Sequence, residues 1–161
     1  MRKLTVFSIL LPSLFLVASV SFAQAVKGEN VVVGKEAITT KLANGKTFLT
    51  QGNHQVFLTA DPKHPLNGAS GDCDGACVVD ATNVAMCMGS CTLVDREGDL
   101  AFFTWDGQTE GGWKFAGGSG KWKGSSGQGT WKNTVATAPG NFARIGWEGT
   151  MSMAAMAAPK K

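Results

Sequence analysis

Apolar and polar positions alternate in short stretches along most of the chain, and no long segment after residue 25 has helical periodicity. Short alternating stretches bounded by glycine, proline and asparagine are typical of antiparallel strands joined by tight turns. Their spacing of roughly 8–12 residues predicts about eight strands. The first strand is predicted in two short stretches, residues 30–33 and 37–42. The other seven are residues 46–59, 71–80, 85–95, 100–105, 113–115, 131–137 and 142–153. Because each strand is followed closely by the next, we predict an all-β fold, a small antiparallel meander barrel rather than a sandwich.

Several connections contain residues that favour particular turns. Asn44-Gly45 is a strong hairpin signal, and Gly98 can adopt the positive φ that a turn over residues 95–99 requires. Prolines between residues 61 and 65 end the strand before them, because proline has no N–H group to donate.

The start of the chain has the features of a secretory signal peptide. Arg2 and Lys3 precede an apolar run over residues 4–20, and small residues then offer cleavage after Ala23 or Ala25. The apolar run is short for a membrane-spanning helix, so no span is expected once the first 25 residues are removed. The sequence therefore predicts a secreted or periplasmic protein.

Residues 26–153 are predicted to form a single barrel domain, and the Ala-, Met- and Lys-rich residues 154–161 a flexible tail. The chain has a formal charge of +3, and two of its positive charges belong to the predicted signal peptide. A nearly neutral domain lacks the clustered basic face that nucleic-acid binding requires, so no nucleic-acid partner is expected.

The four cysteines are placed symmetrically about Thr82, as in an antiparallel hairpin folded at that residue. Directly opposed residues in such a hairpin lie about 4.5–5.5 Å apart, within reach of a disulfide. Four cysteines allow three pairings, and this register favours the nested one. It predicts the disulfides Cys73–Cys91 and Cys77–Cys87 and sets Gly75 opposite Gly89.

A metal site is the alternative interpretation of the cysteines. They form two C-x3-C units, and Met86 and Met88 flank Cys87 with soft ligands that would suit Cu(I). Strand alternation, however, places the methionines on the opposite face, and an oxidising compartment favours disulfides over thiolate ligands. We therefore predict no bound metal and no other cofactor.

A Trp-Lys pair recurs every nine residues, at Trp113-Lys114, Trp122-Lys123 and Trp131-Lys132. The spacing matches a calcium-binding nonapeptide frame, but tryptophan occupies the position of its essential aspartate, so calcium binding is not expected. The aromatic side chains could fill the barrel as core, or they could stack on a flat ligand or a sugar ring. The candidate ligand-binding residues are Trp105, Trp113, Trp122, Trp131 and Trp147.

Catalytic candidates are few, because no serine or cysteine nucleophile lies at a recognisable spacing from either histidine. His54 lies beside a suspected kink in a strand. Glu148 follows Trp147 within an apolar strand, where it could point into the barrel or face solvent. An inward carboxyl group would have a raised pKa through desolvation, and it would be the first functional carboxylate to consider.

Residues 117–131, GGSGKWKGSSGQGTW, resemble the "GGTGKYxGxxGxGxY" segment of the allene oxide cyclase-like and dirigent-like barrels. Residues 89–99, 103–105 and 147–150 also resemble bacterial secreted members of that superfamily. The resemblance implies an eight-stranded antiparallel barrel with an apolar interior. In plant relatives that interior steers the cyclisation or coupling of reactive small molecules without a cofactor.

Three functions remain open from the sequence. The first is a non-catalytic barrel that binds a small apolar or aromatic molecule. The second is a cofactor-free isomerase or cyclase, which only the resemblance suggests. The third is a glycan-binding module that uses exposed Trp-Lys units. A hollow interior would favour the first two functions, and a mouth lined by His54 or Glu148 would favour the second.

Overall fold

Eight antiparallel strands close into a barrel in a computed structural model that describes residues 23–82, 85–137 and 142–153. Each strand pairs with the next in the chain, and the last pairs with the first. The fold is therefore the antiparallel meander barrel that the sequence predicts. The strands are β1 (Gln24–Lys41), β2 (Thr47–Thr59), β3 (Ser70–Val79), β4 (Ala85–Val94), β5 (Leu100–Asp106), β6 (Glu110–Gly118), β7 (Ser126–Thr137) and β8 (Phe142–Ser152).

Two parts of the barrel differ from the strands expected from sequence. β1 is one continuous strand with a register shift between Gly34 and Ala37, not two short ones. β6 and β7 extend into the glycine-rich segment, where strand propensity is low. Pairing on both sides stabilises these glycines in strands, since Gly127 and Gly129 pair with β6 and with β8.

The β3–β4 hairpin has the register that the cysteine positions predict. Cys73 lies opposite Cys91, and Cys77 lies opposite Cys87. Both pairs form disulfides, which we call the outer disulfide (Cys73–Cys91) and the inner disulfide (Cys77–Cys87). All four cysteines are buried on the inner face of the sheet. Residues 83–84 at the hairpin tip lie outside the described residues, as do the predicted signal peptide up to residue 22 and the predicted tail from residue 154.

One end of the barrel is closed by the connections β2–β3, β4–β5 and β6–β7. The last of these contains a short 3-10 turn, Gly120–Trp122. Five apolar side chains at this end are completely shielded from solvent: Leu66, Ala69, Leu93, Ala101 and Trp122. Within the part of the chain that the structure describes, no helix is long and apolar enough to cross a membrane.

A buried carboxylate stabilises the closed end. Asp95 Oδ1 accepts hydrogen bonds from the backbone N–H groups of Glu97 (2.9 Å) and Asp99 (3.0 Å). Its Oδ2 accepts from Lys121 Nζ (2.6 Å) and from Trp122 Nε1 (2.7 Å). Burial alone would raise the pKa of this carboxyl group, but the hydrogen bonds, led by that of Lys121, hold the pKa below its usual value. The turn and the 3-10 segment are thus tied together by one side chain.

Candidate ligand-binding site

The opposite end of the barrel contains a cavity of about 850 Å³. Its floor is formed by buried side chains such as Phe57 and Leu66, and its upper wall by exposed residues such as Ala37 and Gln108. The cavity therefore opens toward the end at which β1 turns into β2. Its volume lies within the range of about 300–1,000 Å³ that is usual for small-molecule sites.

Four aromatic rings form a closed ring of contacts around the lower part of the cavity. Ring centroids are separated by 5.8 Å between Phe57 and Phe103 and by 5.9 Å between Phe103 and Trp113. The circuit continues at 6.2 Å from Trp113 to Trp147 and at 5.6 Å from Trp147 to Phe57. We call these four residues the aromatic ring. Because inward positions alternate along each strand, these residues reach the same level from β2, β5, β6 and β8.

Paired glycines make room for the indoles. Gly75 and Gly89 lie opposite each other on β3 and β4, and the six-membered ring of Trp105 occupies the space that a Cβ would take at either position. Gly129 and Gly149 form a similar pair on β7 and β8 beneath Trp113. The glycines predicted between the two disulfides thus leave a space, and the indole of Trp105 from the next strand occupies it.

A chain of amide side chains crosses the otherwise apolar wall. Trp147 Nε1 donates to Asn30 Oδ1, Asn30 Nδ2 donates to Gln55 Oε1, and Gln55 Nε2 donates to Asn53 Oδ1, each at 2.8 Å. Asn30 and Gln55 are only 5% and 6% exposed. We call these four residues the amide relay. Sequence reasoning missed it, although Asn30 occupies an inward position of the alternating stretch that contains Val26 and Val32.

The cavity wall is almost free of ionisable groups. Among the described residues that line it, none is aspartate, glutamate, histidine, serine, threonine or tyrosine, and its one cysteine is in the outer disulfide. Lys35 lies at the rim, where its Nζ is 2.7 Å from Asp72 Oδ2. The described wall therefore offers aromatic surface and neutral amides, but no carboxylate or imidazole for proton transfer.

Four of the five tryptophans named from the sequence line the cavity: Trp105, Trp113, Trp131 and Trp147. Trp122 does not, because it lies in the 3-10 turn at the closed end. The lysines that follow three of these tryptophans differ from them in exposure. Lys114, Lys123 and Lys132 are exposed, whereas Trp113 and Trp122 are buried and Trp131 is partly buried. The Trp-Lys pairs therefore do not form an exposed stacking surface.

Neither catalytic candidate reaches the cavity. His54 is on the outer face of β2, where its Nδ1 lies 2.9 Å from Asp72 Oδ1. Hydrogen bonds from Lys35 and His54 lower the pKa of the Asp72 carboxyl group. Glu148 is on the outer face of β8, opposite Lys27 of β1, and it faces solvent. Neither side chain is among the described residues that line the cavity.

Met86 and Met88 are exposed on the outer face of β4, away from the bridged cysteines, as strand alternation predicts. Within the described ranges, no group of three or more histidine, cysteine, aspartate or glutamate residues is placed to hold a metal ion.

Comparisons with known proteins support the fold. No protein-family model matches the chain, and no curated protein matches it. The barrel is similar to that of the pterocarpan synthase dirigent protein GePTS1, with a TM-score of 0.54 and 10% identity over 94% of this chain and 100% of that one. It is also similar to the pterocarpan synthase dirigent protein PsPTS1, with a TM-score of 0.52 and 11% identity over 83% of this chain and 97% of that one. The dirigent-like barrel expected from the sequence is therefore confirmed as a fold.

Proposed function

We propose that this protein is a non-catalytic barrel that binds a small, uncharged, apolar or aromatic molecule in its cavity. The observation that carries the proposal is the combination of the aromatic ring with a wall in which Lys35, at the rim, is the one charged side chain among the described lining residues. Offset and edge-to-face contacts with such rings favour flat aromatic ligands. A wall without proton donors or acceptors of suitable pKa favours binding over acid–base catalysis.

The ligand is expected to be uncharged. Transfer of an ion from water into an apolar site is costly unless the site supplies a partner of opposite charge. Lys35 is the one charged side chain among the described lining residues, and it is paired with Asp72 outside the cavity. A neutral ligand needs no such partner.

We further propose that the protein acts outside the cytoplasm, in the periplasm or after secretion. The signal-peptide pattern before residue 25 and the two disulfides support this location.

Nile red, a flat uncharged dye whose emission rises and shifts to the blue in apolar surroundings, tests binding. We expect saturable binding to the intact protein. Ala143→Trp should narrow the cavity and weaken the saturable signal, because Ala143 lines it. Ala116→Trp is the matched control, because Ala116 is exposed on the outer face of β6 and the same substitution leaves the cavity unchanged. Equal dye binding by both variants would place the dye on the surface and refute the proposal.

Steric control of a reaction is the second candidate, and the likeness to two proteins named as synthases favours it. Such a barrel would hold a ligand that is already reactive and would restrict its conformation. The test is to incubate a co-purified ligand with folded and with heat-denatured protein and to separate the products by chiral chromatography. A stereochemical bias that the folded protein alone produces, and that Ala143→Trp reduces, would replace simple binding by this function.

A further inference from the structure

The amide relay has a direction, and one residue sets it. Trp147 Nε1 can only donate a hydrogen bond, because an indole nitrogen carries a hydrogen and has no free lone pair. The atom of Asn30 that lies 2.8 Å from it must therefore be the carbonyl oxygen, Oδ1. Once that oxygen is assigned, the amide nitrogen of Asn30 faces Gln55.

The other two amides of the relay are oriented in the same way. Because Asn30 presents its nitrogen, Gln55 must present Oε1 to it, and the nitrogen of Gln55 then faces Asn53. Asn53 accepts with Oδ1, so its Nδ2 is the group left over. The relay begins at a buried indole and ends in an amide donor at the cavity wall.

Asn53 Nδ2 has no acceptor among the described residues, whereas Oδ1 of the same side chain is used by Gln55. It is also reachable from the cavity. In the described ranges, the side-chain polar atoms that are fully buried and also lack a hydrogen-bond partner are Trp105 Nε1 and Ser125 Oγ. Since Asn53 Nδ2 is not one of them, its unpaired N–H bonds face space that a ligand can enter.

For the other amides near the mouth, no contact among the described residues determines whether the oxygen or the nitrogen faces the cavity. Gln51, Gln108 and Asn133 line the cavity, but no side-chain hydrogen bond in the described chain determines which of their two polar atoms faces it. Trp105 Nε1 is unpaired but enclosed in the wall. Asn53 is therefore the residue whose exposed group can be assigned as a donor.

We infer that Asn53 Nδ2 is a specificity-determining donor that binds an acceptor oxygen of the ligand. The ligand class is then a flat, uncharged aromatic molecule that carries a carbonyl or ether oxygen on its edge. This inference rests on the proposed binding function and specifies the chemistry that the cavity selects.

Three rigid tricyclic probes of nearly equal size test the inference. Fluorenone carries a carbonyl oxygen, fluorene carries a CH2 group at the same position, and carbazole carries an N–H donor there. By titration calorimetry the unaltered protein should bind fluorenone about tenfold more tightly than fluorene, which corresponds to one net hydrogen bond. Carbazole should bind no more tightly than fluorene, because two donors would face each other.

Substitutions at Asn53 should change this order without removing the apolar site. Asn53→Asp keeps an oxygen for Gln55 and replaces the donor with an acceptor, so carbazole should become the preferred probe. Asn53→Leu should bring the affinities for fluorenone and fluorene to within about twofold of each other. His54→Ala is the matched control, because His54 is the next residue on β2 and faces outward. It should leave all three affinities unchanged.

The direction of the relay is tested at its far end. Trp147→Phe removes the donor that orients Asn30, so the amides can reverse and Asn53 can present its oxygen. The ratio of fluorenone to carbazole affinity should then fall, although residue 53 is unchanged. A purely structural role for Trp147 would weaken all three probes in proportion.

The outcomes separate the inference from the proposed function. Equal binding of fluorenone and fluorene to the unaltered protein would overturn the donor assignment and leave the apolar binding site standing. A preference that survives Asn53→Leu but is lost in Asn133→Leu would also overturn it. Failure of all three probes and of Nile red to bind would overturn the proposed function and the inference together.

Discussion

The buried carboxylate of Asp95 allows a quantitative test of what holds the barrel closed. The side chain is fully shielded from solvent and accepts four hydrogen bonds, two on each oxygen. Asp95→Asn keeps Oδ1 for the two backbone N–H groups. It places an NH2 group where Oδ2 now accepts from Lys121 and Trp122, so three donors face one another.

The expected loss follows from the environment of the two donors that lose Oδ2, of which Lys121 Nζ keeps its ion pair with Glu97. Removing one partner of a buried charged pair costs about 3–5 kcal/mol. Lys121 retains 15% exposure, so water relieves part of the cost on its side, whereas Trp122 is completely buried. We therefore expect a loss near the lower bound, about 3 kcal/mol.

Urea unfolding with the disulfides intact, followed by tryptophan fluorescence, measures this loss. Urea is preferred to guanidinium chloride because the salt would screen the charges. Asp106→Asn is the matched control. Asp106 is exposed, and within the described chain its side chain accepts one hydrogen bond, from Gly112 N at 2.8 Å, which asparagine can also accept. That variant should lose no more than about 0.5 kcal/mol.

The pH dependence has a definite sign. The hydrogen bonds hold the pKa of Asp95 below the ordinary value of about 4. A carboxyl group with a lowered folded-state pKa contributes its full stability above its unfolded-state pKa and loses it as the pH falls through the folded-state pKa. The difference between the unaltered protein and Asp95→Asn should thus be constant near neutrality and shrink below about pH 4. A loss under about 1 kcal/mol at pH 7, or a difference that grows in acid, would refute the reasoning.

Three further predictions concern the hairpin and the start of the barrel. Gly89→Ala should destabilise the fold by about 1–3 kcal/mol and shift tryptophan emission, because a Cβ there would overlap the ring of Trp105; an unchanged spectrum would contradict the contact. Replacing both cysteines of the inner disulfide with serine should lower the free energy of unfolding in urea by less than about 3 kcal/mol. The same replacement at the outer disulfide should lower it by more, because its loop is longer, with a sequence separation of 18 against 10. Equal losses would contradict the loop argument. Mass spectrometry of exported protein should find Gln24 as the first residue, because Gln24 is already paired with β8; a first residue inside the strand would contradict this.

The sequence predicts the barrel well where its signals are local and symmetrical. The cysteine positions determine the register of β3 against β4, because one antiparallel register alone sets both pairs opposite each other. Asn44-Gly45 and Gly98 mark turns that the structure has, and both glycines adopt positive φ. These features depend on neighbouring residues and on alternation.

The candidate site is less predictable, because it depends on how distant strands meet. Nine-residue spacing groups Trp122 with Trp113 and Trp131, but it does not show that residues 119–125 leave the sheet and carry Trp122 to the closed end. Asn30 and Gln55 look like ordinary polar strand residues until the pairing of β1 with β2 places both inside. Amide orientation then depends on an indole from β8, which no local pattern reveals.

The glycine pairs explain why a barrel with so many large aromatic side chains is still hollow. Small barrels are ordinarily filled by their inward side chains. Here Gly75 and Gly89 leave a recess in the wall that the ring of Trp105 enters, and another pair does the same beneath Trp113. Part of the Trp105 indole therefore lies within the wall, and the rest of the indole faces the cavity. Glycine on one pair of strands and tryptophan on a neighbouring strand therefore act together, and their combination allows an aromatic wall and an open interior in one small domain.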